Sequence, residues 1–129
     1  MSIRRISSGG IYEPKIGYCR AVVAGDWIHV SGTVAAPLVE GGDPPEGAPA
    51  QTVSALQIIE KALKEAGATF ADVVRVNYVL PDAREFEACW PALSAAFAGN
   101  PPAAMMIEAG LIDPKYRIEI EVTAYKPGL

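Results

Sequence analysis

The chain has 129 residues, half of them hydrophobic, with two cysteines and a formal net charge of −4. That length fits one domain spanning residues 1–129, and no apolar run reaches the roughly 20 residues of a spanning helix. The acidic balance and scattered basic residues argue against nucleic acid, whose binding needs clustered Lys and Arg.

The N-terminus, Met1 to Arg5, is basic without the apolar stretch of a signal peptide, so the expected location is the cytoplasm. A short strand is expected over Ile3–Ser7. Tyr18–Ala24 and Trp27–Ser31 read as two strands joined at Gly25-Asp26, a hairpin-compatible pair, with Gly32 breaking the second. Pro37–Pro49, rich in Gly, Pro and acids, reads as a surface loop.

Ala50–Ala66 is predicted as a helix, since Val53, Leu56, Ile59 or Glu60, Leu63 and Ala66 recur at helical spacing and Gly67 supplies a stop. Asp72–Leu80 is a predicted strand with Val74, Val76, Tyr78 and Leu80 on one side. A second helix is expected over Arg84–Ala98, burying Phe86, Trp90, Leu93 and Phe97. Pro91 belongs in the first turn of a helix restarting near Cys89 or Trp90, because proline costs about 3 kcal/mol in a helix interior.

Two strands, Ala103–Glu108 and Tyr116–Tyr125, close the chain. In the last, Ile118, Ile120, Val122 and Ala124 alternate with Arg117, Glu119, Glu121 and Thr123. The element order is β-β-β-α-β-α-β-β. Two helices can cover one face of such a sheet, which predicts a two-layer α+β sandwich. The other face, expected to carry Trp27, His29, Ser31, Arg75, Asn77, Arg117, Glu119 and Glu121, suits a polar subunit interface or its clefts.

Cys19 and Cys89 lack metal-knuckle spacing and, among apolar neighbours, read as buried inert thiols. His29, the one histidine, sits in no metal or dyad motif. No cofactor is implied and no metal site is expected.

Several motifs in order resemble one family. They are Ile16-Gly17-Tyr18, Val30-Ser31-Gly32, Ala66-Gly67, Pro102-Ala103 followed by Glu108, and Arg117 to Glu121. The chain resembles the RidA (YjgF-type) reactive-intermediate deaminases over nearly its whole length. The resemblance implies a chorismate-mutase-like fold with a mixed sheet, a homotrimer and ligand clefts between subunits. It also implies hydrolysis of a small enamine or imine.

The resemblance puts Tyr18, Ser31 and Glu119 in the cleft, Glu119 and Ser31 handling water and polar groups. It departs elsewhere. Ala104 stands where active members carry a carboxylate-binding arginine, Met106 where they carry a cysteine, and Trp90 where they carry an asparagine. Losing that arginine removes a contact worth roughly 1.5–3 kcal/mol. Arg20 or Arg117 is the candidate substitute, Arg20 sharing the face of Tyr18.

The implied substrate is therefore a small metabolite other than a simple 2-imino acid. A non-catalytic trimer that binds a small ligand or a protein is the alternative, and RNA cleavage stands last. Residue by residue, Glu119 can hold water or pair with Arg75 or Arg117. Ser31 can contact a ligand or be satisfied within the chain. Tyr18 can wall a cleft or be an ordinary strand aromatic.

Overall fold

The computed structural model describes residues 2–129. Strands β1 (Ile3–Ile6), β2 (Ala21–Ala24), β3 (Trp27–Thr33), β4 (Val73–Leu80), β5 (Ala103–Glu108) and β6 (Glu119–Tyr125) form one sheet in the order β1-β2-β3-β6-β4-β5. Neighbours are antiparallel except β4 and β5, which run parallel. Helices α2 (Ala48–Ala66) and α3 (Trp90–Phe97) cover one face, giving the expected two-layer α+β sandwich.

The period-two pattern of β6 decides which face is covered. Ile118, Ile120 and Ala124 are fully buried and Val122 nearly so, while Glu119, Glu121 and Thr123 turn away. From α2, Ile59 and Leu63 are fully buried in the same cluster. Each such side chain contributes about 1.5–3 kcal/mol. Gly67 ends α2 at φ 95°, its N–H bonded to the carbonyls of Leu63 and Lys64.

Several local expectations are corrected. A five-residue helix, α1 (Tyr12–Ile16), precedes β2, so β2 starts at Ala21 rather than Tyr18. Pro14 fits the first turn of α1, and Gly17 ends it in the left-handed region. Gly32 does not end β3; the strand runs on to Thr33 through a register irregularity between Val30 and Thr33. Another between Val73 and Arg75 turns Val74 outward and Val73 inward.

In α2 the inner positions include Gln51, Thr52 and Ala55, and Val53 faces solvent. The second helix is shorter than expected. Two 3₁₀ turns, Ala83–Glu85 and Glu87–Cys89, precede α3, with Pro91 in its first turn. Its buried stripe is Cys89, Leu93 and Phe97; Phe86 is partly buried and Trp90 is 51% exposed. Cys89 is buried, which pushes its thiol up, but Cys19 is only half buried, its Sγ 3.4 Å from the Ala21 carbonyl.

On the open face, Trp27 and Tyr125 are paired across β3 and β6 with ring centroids 4.8 Å apart. Asn77 donates to Glu121 at 3.0 Å across β4 and β6. No helix among the described residues is long and apolar enough to cross a membrane.

Candidate functional site

The site begins in the loop around α1. The Glu13 side chain is buried and accepts hydrogen bonds from the Ser7 hydroxyl (2.9 Å), the Ser8 hydroxyl (2.5 Å), and the amides of Ser8 and Gly10 (both 3.2 Å). Burial pushes its carboxyl up, but these bonds outweigh it and hold the group below the ordinary carboxylate value. Arg20, also buried, lies 3.8 Å from Glu13.

The Arg20 guanidinium is engaged within the chain. It donates to the Gly32 carbonyl and Thr33 Oγ1, each at 2.8 Å, to Ser8 Oγ at 3.2 Å and to Tyr18 Oη at 3.3 Å. It also stands 5.5 Å from the Tyr18 ring centroid. Tyr18 and Arg20 both precede β2 and so share no strand face, but their side chains touch, and Arg20 has its hydrogen-bond donors turned inward. Arg117 is likewise occupied, forming a two-pronged pair with Glu85.

Glu119 rests on the irregular part of β3. A methyl placed at Gly32 would meet its Cδ and Oε2 at 3.0 Å, so any side chain there would push the carboxyl out of this position. Burial pushes Glu119 above the ordinary value, the Arg20 charge pulls it back, and Glu121 adds to the rise. Such a carboxylate can accept a proton near neutral pH more readily than an exposed one. The Ser31 hydroxyl donates to the Cys19 carbonyl at 2.7 Å. Tyr18, Arg20, Ser31 and Glu119 are thus gathered where the irregular end of β3 meets the start of β6.

Ala104 and Trp90 line a different feature, an open groove of about 390 Å³ between β5 and α3. Its other walls are Tyr78, Phe86, Phe97, Pro101 and Pro102 among mostly apolar neighbours. Phe86 meets Tyr78 at 5.2 Å and Trp90 at 6.3 Å between centroids. Burial pushes the Tyr78 hydroxyl up to about 12, so it stays neutral. Met106 points the same way as Ala104 but packs against the core beside Tyr78, its partner in register.

One chain does not bring the two clusters together. Glu119 pairs with Val79, and Val79 with Ile107, three residues beyond Ala104. Ala104 therefore points to the opposite side of the sheet, roughly 14 Å from Glu119 by strand spacing. Among the described residues no group of three His, Cys, Asp or Glu side chains could hold a metal ion.

Glu13, Gly32, Tyr78 and Phe86 were not expected as site residues: Gly32 read as a strand break and motif residue, Tyr78 and Phe86 as packing positions, and Glu13 left one unread signal, being the one acid among the first 25 residues, seven before Arg20.

Known proteins resemble this chain throughout its length. The family model described as endoribonuclease L-PSP matches residues 11–126. A rat protein named 2-iminobutanoate/2-iminopropanoate deaminase is 31% identical over 123 residues, covering 95% of this chain and 90% of its own. The crystal structure of Rv2704 from Mycobacterium tuberculosis, a member of the YjgF/YER057c/UK114 family, matches with a TM-score of 0.87 at 37% identity. It covers 96% of this chain and 99% of that one. A YjgF-family structure from Neisseria meningitidis matches with a TM-score of 0.82 at 32% identity, covering 100% and 98%.

Proposed function

The chain belongs to the YjgF, or endoribonuclease L-PSP, family, and on that premise we propose that it is a homotrimeric hydrolase of a small imine or enamine lacking the carboxylate of a simple 2-imino acid. The observation that carries this reading is the Glu119 carboxyl, seated on Gly32 and partly desolvated, with the Arg20 charge acting on it. In the proposed reaction, Glu119 takes a proton from water as its oxygen attacks the imine carbon. That proton passes to nitrogen, giving a carbinolamine; its hydroxyl proton then moves to the amine by way of the same carboxylate as the C–N bond breaks, and a carbonyl compound and ammonia leave.

The substrate side of the proposal rests on Ala104. It has no donor to offer a carboxylate, and the groove around it is apolar. An uncharged substrate with an apolar substituent fits such walls. The two clusters lie on opposite sides of one sheet, so a shared cleft requires a second copy of the chain. The open face, with Trp27 and Tyr125 among Arg75, Asn77 and Glu121, suits that contact. RNA cleavage is not proposed, because 11 basic residues against 15 acidic ones give no positive track for a phosphate backbone.

The alternative is a trimer that binds a small molecule without turning it over. It is favoured by Ser31 and Arg20, whose polar groups are spent on internal hydrogen bonds. Ammonia release from freshly generated uncharged imines separates the two. The hydrolase reading expects turnover in the wild type and its loss in Glu119→Ala, with the trimer retained by light scattering. Ligand-dependent stabilisation without ammonia would favour binding alone.

A further inference from the structure

The groups behind Glu119 form a chain of their own. Glu13 takes hydrogen bonds from four donors and lies beside Arg20. Arg20 spends two hydrogen bonds of 2.8 Å on Gly32 and Thr33. These are the residues of the register irregularity in β3, and the Glu119 carboxyl lies on the first of them. We propose that Glu13 and Arg20 are a positioning pair for Glu119: Arg20 fixes the Gly32 peptide that seats the carboxyl and sets one cation behind it, and Glu13 holds Arg20 in place.

A buried ion pair is a weak source of stability, because desolvation offsets the attraction. A geometric role accounts for what stability does not. Without Arg20, the Gly32 carbonyl and the Thr33 hydroxyl lose their shared donor, and the Gly32 peptide is left between the bonds that Ser31 makes to Cys19 and Thr33 makes to Ser31. Other charges around Glu119 are few. Along β6, Glu121 follows it and Arg117 precedes it, turned to Glu85. Its register partner on β4 is Val79, and its contact on β3 is Gly32; His29 stands further along β3. Arg20 is the cation that acts on Glu119, which agrees with its downward pull on that carboxyl.

The proposal deepens the reading of Glu119 as the water-activating group and rests on it, but one test does not depend on activity. The Glu119 side-chain carboxyl is followed by ¹³C NMR against pH in the full chain and assigned by its loss in Glu119→Gln. Arg20→Gln is expected to move its midpoint up. Arg20→Lys, which keeps the charge and loses the fork, is expected to restore most of that shift. Glu13→Gln, which releases Arg20 from its hold, is expected to move the midpoint up, towards that of Arg20→Gln. Gly32→Ala is expected to unseat the carboxyl with the pair intact.

Ammonia release on the hydrolase reading is expected to fall about tenfold to a hundredfold in Arg20→Lys, the scale of a misplaced catalytic group. An unchanged midpoint in folded Arg20→Gln overturns the proposal. If that variant does not fold, an unchanged midpoint in Glu13→Gln overturns it instead. Shifted midpoints without turnover in the wild type would sink the hydrolase and leave the pair standing. Turnover that needs Glu119, with midpoints unmoved, would do the reverse.

Discussion

The α1 side of the molecule and the β5–α3 edge solve opposite problems. Around Glu13 and Arg20, polar groups are buried and matched donor to acceptor, so the geometry is over-determined. Around Ala104 and Trp90, aromatic and proline side chains shape a groove with little that could orient a ligand. Shape discriminates weakly, since one methylene is worth about 1–3 kcal/mol, whereas a site built on polar bonds rejects partners that cannot complete them. On the reading proposed above, the first region fixes one carboxylate and the second accepts apolar groups.

The largest way to break the first region is Glu13→Gln. Removing one member of a buried pair costs about 3–5 kcal/mol, since the other charge is left uncompensated. The cost has a sign in pH. Because the folded value of Glu13 lies below the ordinary 4.5, the unfolded chain takes up a proton first as pH falls. The stabilisation is full above that ordinary value and is lost as pH falls through the folded one. Melting curves of wild type and variant should differ most at neutral pH and converge in acid. A gap in Tm that persists unchanged into strong acid would show that the loss is steric rather than ionic.

That region was largely illegible in the sequence, for a physical reason. Its organiser sits in a single helical turn, too short to show a period, and its work is done through backbone groups that no pattern records. The β6 strand was legible because burial on one face writes an alternation of apolar and charged residues that nothing else in the chain imitates. The same logic explains the misplaced residues. A one-residue irregularity turned Val74 out, and 3₁₀ turns shortened the second helix and left Trp90 half exposed. Tyr18, Ser31 and Glu119 came from family resemblance, and geometry added Gly32 as the seat of Glu119.

The second region is sharpened by Ala104→Arg. A guanidinium in the groove would add a charge-assisted contact worth roughly 1.5–3 kcal/mol to a 2-imino acid, about tenfold to a hundredfold in kcat/KM. Ammonia release from 2-iminobutanoate should rise in the variant while that from an uncharged apolar imine falls. Equal activity of both proteins on both substrates would mean that the groove does not face the reacting molecule.

The smallest effect belongs to the link between the regions. Arg117, at the entry to β6, pairs with Glu85 in the 3₁₀ turn that leads towards Trp90, and its amide donates to Gln51 at 2.7 Å. About a third of each charged side chain remains exposed, so solvent screens the pair, which contributes little and weakens with salt. Glu85→Gln should therefore lower Tm slightly at low ionic strength and hardly at all in 1 M salt. Its effect on ligands should be confined to the groove, with the Glu119 titration unchanged, because Glu85 acts on the turn that leads to Trp90 and not on the Gly32 seat. A shift of that titration in Glu85→Gln would mean that the two regions are coupled through Arg117 and are not independent sites.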